Sequence, residues 1–402
     1  MDEFVDKCFK NNSDFINEEN NEFSLLMNKD FYPKQIANYV DYCMRCGFKG
    51  KSEAEIEKKL SDIISLFKFI NSKLTFKIFS EKQMSERLIK GSYLSIDAEK
   101  SFISKLRQDN GNTYVNKMSA MIKDLEESKK LFDDYKITRN NGFPNGIKFN
   151  VQIISQNAWH ISKSYMEQIE LTPLLKICKQ DFQEYYLKRF GFSKLYWLLS
   201  LSKLEIQFIF LEKKNISIST LPQYLALIYL ERKGKLSLQK ISEFLGCNVQ
   251  RVINDISGLI FNISFNPKGQ INKGVILANI DPEKKEFKPE TEININNNFS
   301  VIKQKFNTLP LPKKKSANEI KEFEREEAQI IQKNQDSIIQ ATLARIMKSK
   351  IGETITHSWL VVESTRLIDL FAAQPQQIKK NIEKLIEKNI IKRNGSNYEF
   401  IA

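Results

Sequence analysis

Between Glu53 and Lys136 apolar positions recur at helical spacing and no proline interrupts them. Ile63, Leu66, Phe67 and Ile70 fall at i, i+3, i+4 and i+7, and Met118, Met121, Ile122 and Leu125 repeat that spacing. These stripes predict long amphipathic helices around a common bundle core. The polar interval Thr138 to Gly146, with Asn140-Asn141-Gly142 and Pro144-Asn145-Gly146, breaks the helices and predicts a surface loop. A further helix, rich in aromatics, is expected from about Pro173 to Phe190.

After Gly191 the period shortens. Lys194 to Leu201, Lys203 to Leu211 and Asn215 to Thr220 are short apolar and β-branched runs, and Leu204, Ile206, Phe208 and Phe210 alternate with Glu205, Gln207 and Ile209. The three runs predict a small antiparallel sheet. Helical patterns follow at Pro222 to Arg232, Leu238 to Leu245 and Val249 to Leu259, then strand-like segments around Ile260 to Phe265 and Val275 to Asn279. Three helices and a hairpin in that order make a winged helix.

Leu309 to Asn318, with Pro310, Pro312 and Lys313-Lys314-Lys315, reads as a tether, because proline and like charge both oppose packing. A second winged helix comes next. Its first helix runs from about Glu319 to near Gly352 and its second starts near Thr356; its third, opened by Pro375, carries Ile378, Ile382, Leu385 and Ile386 on one face. Ile390 to Arg393 and Asn397 to Ile401 are expected to pair across Asn394-Gly395, a type I′ hairpin signal. The expected fold class is mostly α with a small antiparallel β sheet (α+β): a helical bundle, an α/β sheet region and two winged-helix modules.

Composition narrows the chemistry. The 402 residues are 41% hydrophobic, enough for several cored domains, and 62 Lys and Arg against 49 Asp and Glu leave a net charge of +13. That balance favours an acidic partner without naming it. No run approaches the ~20 apolar residues of a spanning helix, and Met1 to Lys10 carries three acidic residues instead of a basic, apolar leader. The reading is a soluble protein of the cytoplasm and/or nucleus, without membrane contact. Cys8, Cys43, Cys46, Cys178 and Cys247 are an odd, scattered set, which fits a reducing compartment. Cys43 and Cys46 form a C-x-x-C, but no second pair stands at matching spacing and His160 and His357 are far away in sequence, so no metal or cofactor is expected. With two histidines, no G-x-S-x-G and no G-x-x-x-x-G-K-[ST], catalysis by this chain is not expected.

On the long C-terminal helix, Ile339, Leu343, Ile346 and Met347 form a core-facing stripe. Lys348 projects roughly 150° from its centre, into water, between the basic neighbours Arg345 and Lys350. Spacing alone makes Lys348 one surface lysine among many. The run Ala341-Thr342-Leu343-Ala344-Arg345-Ile346-Met347-Lys348, continuing through Thr356-His357 and Ile378 to Lys388 to the closing Tyr398-Glu399-Phe400-Ile401-Ala402, resembles the C-terminal signature of the cullins. Ser95 to Leu106, Tyr114 to Lys130, Lys194 to Trp197 and Leu201 to Lys203 are similar to the cullin-homology region in the same order. The likeness covers nearly all of the chain from about Lys51.

That resemblance implies a non-catalytic scaffold of a multi-subunit RING ubiquitin ligase, acting in ubiquitin-dependent protein degradation. It implies a RING-box protein threading a strand into the sheet at Trp197, Leu199, Ile206, Phe208 and Ile218. A short apolar sheet with an open edge agrees, since such an edge invites a partner strand. It further implies neddylation of Lys348, an isopeptide bond to a ubiquitin-like modifier, and a basic surface at Lys82, Arg87 and Lys90 that draws the acidic tail of a ubiquitin-conjugating enzyme. Two positions depart from the family: Ala344 stands for a usual valine, and Lys348-Ser349-Lys350-Ile351-Gly352 replaces K-x-R-K.

The expected organisation is 1–50 as the tail of the last cullin-type helical repeat, 51–190 as the bundle, 191–308 as the sheet region with the first winged helix, 309–327 as a linker and helix start, and 328–402 as the C-terminal module. Val5 to Cys46 resembles only the end of the repeats that carry a substrate adaptor, so the sequence is a fragment, an incomplete gene model or a natural half-cullin. In each case binding of the RING partner without an adaptor is expected. Two alternatives compete: a purely structural helical scaffold, and a nucleic-acid-binding winged-helix protein using Lys379, Lys380, Lys384 and Lys388 on the would-be recognition helix. The ordered cullin segments make nucleic acid the less favoured partner.

Overall fold

The computed structural model describes Cys8 and residues 12–27, 31–139, 142–143, 146–161, 165, 169–191, 193–208, 215–280, 286–310 and 317–401. Of the segments singled out above, Val5 to Phe9 other than Cys8, Asn140-Asn141, Pro144-Asn145, Ile209 to Leu211 and Pro312 to Lys315 lie outside those residues.

Six helices come first: α1 (Ser13–Met27), α2 (Phe31–Tyr42), α3 (Glu53–Phe67), α4 (Lys73–Lys90), α5 (Ile96–Asn110) and α6 (Asn112–Thr138). Local chemistry sets their limits. Ser52 opens α3 with a capping box, its backbone N–H donating to Glu55 Oε2 at 2.8 Å, and Ser95 Oγ accepts from the N–H groups of Asp97 and Ala98 to open α5. Next come α7 (Pro173–Phe190), β1 (Lys203–Gln207), β2 (Ile216–Thr220), α8 (Leu221–Lys233), β3 (Leu236–Ser237), α9 (Leu238–Leu245), α10 (Val249–Phe261), β4 (Ile276–Ala278), β5 (Glu292–Ile295) and β6 (Lys305–Asn307). The chain ends with α11 (Ala317–Ser349), β7 (Ile355–Thr356), α12 (His357–Leu367), α13 (Pro375–Glu387), β8 (Ile391–Asn394) and β9 (Asn397–Phe400). The protein is mostly helical with small sheets, an α+β fold.

Two compact units emerge. One comprises Met1–Asp124, Ser155–His160 and Lys315–Ala402; the other comprises Leu125–Ile154 and Ile161–Lys314, so residues 51–190 are shared between them.

In the first unit α2 to α5 and the start of α6 bury Leu60, Ile63, Phe67, Phe76, Met84, Phe102, Leu106 and Met118. Leu66, placed in the stripe by spacing, is 40% exposed. At 100° per residue the buried set Leu60, Ile63, Ile64 and Phe67 centres about 110° away from it. The same unit holds the C-terminal winged helix, whose core of Ile339, Leu343, Ile346, Met347, Leu360, Ile378, Ile382 and Leu385 also takes in Leu74 of α4. The Leu74 N–H donates to Leu370 O at 2.9 Å. Its sheet runs in the order β7-β9-β8. The hairpin differs from expectation: Asn394 pairs with Asn397, so Gly395-Ser396 forms the turn. Only Gly395 has positive φ, at 61°, which is the pattern of a type II′ turn.

In the second unit β1, β2 and β6 form a mixed sheet in that order, β1 antiparallel and β6 parallel to β2. The expected all-antiparallel sheet is corrected in one strand. Lys194 to Leu198 forms no strand and Leu199–Leu201 is a 3-10 turn, while the third strand comes from Lys305–Asn307, nearly a hundred residues later. The first winged helix is α8 to α10 with the sheet β3-β5-β4. Its wing uses β4 with β5, whereas Ile260 and Phe261 extend α10 instead of starting a strand. Gly258 on α10 is required by packing: a Cβ there would stand 2.3 Å from the Thr308 carbonyl oxygen.

Candidate functional site

Lys348 lies in the last turn of α11, a helix whose Ile339, Leu343, Ile346 and Met347 are at most 4% exposed. The same helix turns Lys348 and Arg345 to solvent. Among the described residues the Lys348 amine has no hydrogen bond or ion pair. Lys350, two positions on, does: its Nζ is 3.0 Å from Glu353 Oε2. The rigid stripe beneath and the open side above make Lys348 an amine that an acyl donor can approach without disturbing the core.

The five positions expected to hold a partner strand do not share a surface. In a paired sheet directly opposed residues face the same way. Leu204, Ile206 and Phe208 face the unit's core, where Phe208 is buried and stacks on Phe306 at 6.0 Å. Ile218, opposite Glu205, lies on the other face. Leu199 packs at the core's margin, and Trp197 belongs to a separate aromatic cluster with Phe132, Tyr135 and Phe182, its Nε1–H donating to Gln183 Oε1 at 3.3 Å. The sequence predicts a short apolar sheet; β2 instead buries Ser217 and Ser219, which hydrogen-bond to each other and, through Ser219, to Thr308.

What the sheet does offer is an edge. Among the described residues no strand pairs with the outer side of β1. The Phe208 N–H donates to Asn215 O and the Leu221 N–H to Ser202 O, which fixes the parity of the ladder. The main-chain groups of Leu204 and Ile206 therefore face β2, and those of Lys203, Glu205 and Gln207 face outward. These three residues have exposed side chains as well.

The expected basic surface is corrected at Arg87. Lys82 is half-buried, with its Nζ 4.7 Å from the Phe323 ring centre and 3.8 Å from Glu327 Oε1; Lys34 Nζ reaches Glu327 Oε2 at 2.6 Å. Lys90 is exposed and 3.3 Å from Glu86. Arg87 is 2% exposed and bonds to Glu99 and Asp41. Burial opposes its charge, but the bonds and charges of Glu99 and Asp41 outweigh that and hold the guanidinium above its ordinary value. Five positions from Lys82 is about 140° around a helix, which carries Arg87 to the opposite, inner side.

Both would-be recognition helices are engaged by their own modules. α10 buries Val252, Ile253, Asp255, Ile256, Leu259 and Ile260. On α13, Lys384 Nζ is 2.6 Å from Asp336 Oδ2 and Lys388 Nζ donates to Gln340 Oε1 at 2.7 Å, leaving Lys379 and Lys380 outward among Glu383 and Glu387. Among the described residues no group of three or more His, Cys, Asp or Glu could hold a metal, and no helix is long and apolar enough to cross a membrane. Cys43 is buried, which raises its thiol above the usual value, while Cys46 is exposed.

A helical array, a mixed sheet whose β1 edge is unpaired among the described residues, and two winged helices, the last bearing an outward lysine, define a multi-module α+β protein. Three family models match it in order: the cullin alpha solenoid domain over residues 1–132, the cullin alpha+beta domain over 153–299 and the cullin protein neddylation domain over 334–397. The chain is 28% identical to Cullin-4A of Homo sapiens across 100% of its own length and 51% of that protein's. It is 24% identical to Cullin-3B of Arabidopsis thaliana (100% and 53%) and 27% identical to Cullin-5 of Dictyostelium discoideum (99% and 54%). The chain belongs to the cullin family. It spans about half the length of the curated relatives it matches.

Proposed function

We propose that this protein is a non-catalytic scaffold of a cullin-RING ubiquitin ligase, regulated by attachment of a ubiquitin-like modifier to Lys348. The observation that carries the reading is the Lys348 amine, without a bond or ion pair among the described residues and held outward by a buried stripe within the residues matched by the neddylation domain. Its Nζ attacks the modifier's C-terminal carbonyl, presented as a thioester on a conjugating enzyme. A C–N bond forms as the C–S bond breaks, and the thiolate leaves as the amine gives up its proton. The scaffold's part is positioning.

The outward edge of β1 supports the second half of the reading, the strand of a RING-box protein pairing along Lys203 to Gln207. The RING then recruits the ubiquitin-conjugating enzyme that acts on substrates.

The test is reconstitution with a RING-box protein, the modifier and its activating and conjugating enzymes. Tryptic peptides should carry a Gly-Gly remnant on Lys348, and Lys348→Arg should remove it. A RING-box protein should copurify. No remnant at Lys348, or no copurifying RING-box protein, contradicts the corresponding half.

A further inference from the structure

Two lysines stand two positions apart at the end of α11, and the structure treats them differently. Lys348 sits in the last helical turn, exposed, and among the described residues its amine has no bond or ion pair. Lys350 lies just past the helix. Its backbone N–H donates to Met347 O at 3.2 Å, and its Nζ lies 3.0 Å from one carboxylate oxygen of Glu353 and 3.4 Å from the other.

The turn that follows delivers that carboxylate. The Glu353 N–H donates to Lys350 O at 3.1 Å, and between them Gly352 takes φ +85°, a left-handed conformation that a side chain at this position would strain. The chain therefore folds back and sets Glu353 over Lys350. Ser349 Oγ donates to Ile346 O at 2.7 Å and closes the helix between the two amines.

From this geometry we infer that Glu353 is a specificity-determining residue: it withholds the Lys350 amine from acylation and leaves Lys348 as the acceptor. The inference deepens the proposed function and rests on its reading of Lys348. A nucleophilic amine must be free to swing toward the acyl carbon. The Glu353 carboxylate tethers the Lys350 Nζ and curls its stem along the turn, while the Lys348 side chain keeps its freedom to swing. The pair is part-exposed, so the bias is modest: about twofold to fivefold, the worth of a surface ion pair.

The test has two arms on the full chain. In the first, a limiting amount of an acetyl N-hydroxysuccinimide ester acylates the protein, and mass spectrometry gives the ratio of acetyl-Lys350 to acetyl-Lys348. Lys348 should react faster in the unaltered chain. Glu353→Gln should raise the ratio about twofold to fivefold with Lys348 unchanged. Gly352→Ala, which distorts the turn by a different route, should move it the same way. In the second arm the enzymatic reaction is run on the same variants, and remnants on Lys350 should rise with Glu353→Gln. Equal labelling of both lysines in the unaltered chain, or a ratio indifferent to Glu353→Gln, overturns the inference. A ratio that shifts in the first arm while no remnant forms on either lysine in the second supports the withholding of Lys350 and sinks the proposed function instead.

Discussion

The guanidinium of Arg87 on α4 forks onto the carboxylate of Glu99 on α5, with Nη2 2.6 Å from Oε2 and neither side chain more than 2% exposed. Asp41 of α2 adds a third bond at 3.2 Å, so three helices meet on one charge. Removing one partner leaves the other buried and uncompensated, which costs about 3–5 kcal/mol. Arg87→Met should therefore lower unfolding stability by that amount in urea titration, and adding Glu99→Leu should recover most of it. Equal stability of Arg87→Met and the unaltered chain contradicts the buried pair.

The ladder parity of β1 separates two proline substitutions. Glu205→Pro removes an outward N–H and should abolish capture of a RING-box strand while the far-ultraviolet circular dichroism spectrum stays unchanged. Leu204→Pro removes a bond to β2 and should damage the sheet itself, by about 3 kcal/mol or more. Undiminished capture by Glu205→Pro counts against the open edge as the docking line.

Asp336 supplies a pH-dependent tie within the C-terminal module. Burial pushes its carboxyl up, but the bonds from Asn381 and Lys384, with the charge of Lys380, outweigh this and leave it below its ordinary 3.8. A depressed folded value means stabilisation that is full above the unfolded value of about 3.9 and lost as pH falls through the folded one. Asp336→Asn should cost about 1–2 kcal/mol at pH 7 and progressively less below pH 4, measured by denaturant titration across that range. A difference that grows toward low pH gives the opposite sign and refutes the assignment.

Gly258 permits the close approach of α10 to Thr308. A methyl group there meets the Thr308 carbonyl oxygen at 2.3 Å and Gln223 Nε2 at 2.9 Å, and Gln223 is itself bonded to that carbonyl at 2.6 Å. Gly258→Ala should lower the melting temperature through about 1–3 kcal/mol of overpacking, despite alanine's better helix propensity. A raised melting temperature means that the contact relaxes freely.

The sequence by itself determined the main helices and the outward direction of Lys348, because each depends on residues within a turn or two of one another. The stripe Ile339 to Met347 places Lys348 opposite the core whatever else packs nearby. Tertiary structure alone decided the rest. Lys305–Asn307 joins β2 across nearly ninety residues, and no local period announces a parallel partner at that distance. Arg87 reads as one more surface cation until Glu99 and Asp41 close on it, because burial of a charge depends on what arrives from other helices. Ile206 and Ile218 are equally apolar on paper, yet the sheet's pleat sends them to opposite faces, and pairing register is fixed only when strands meet.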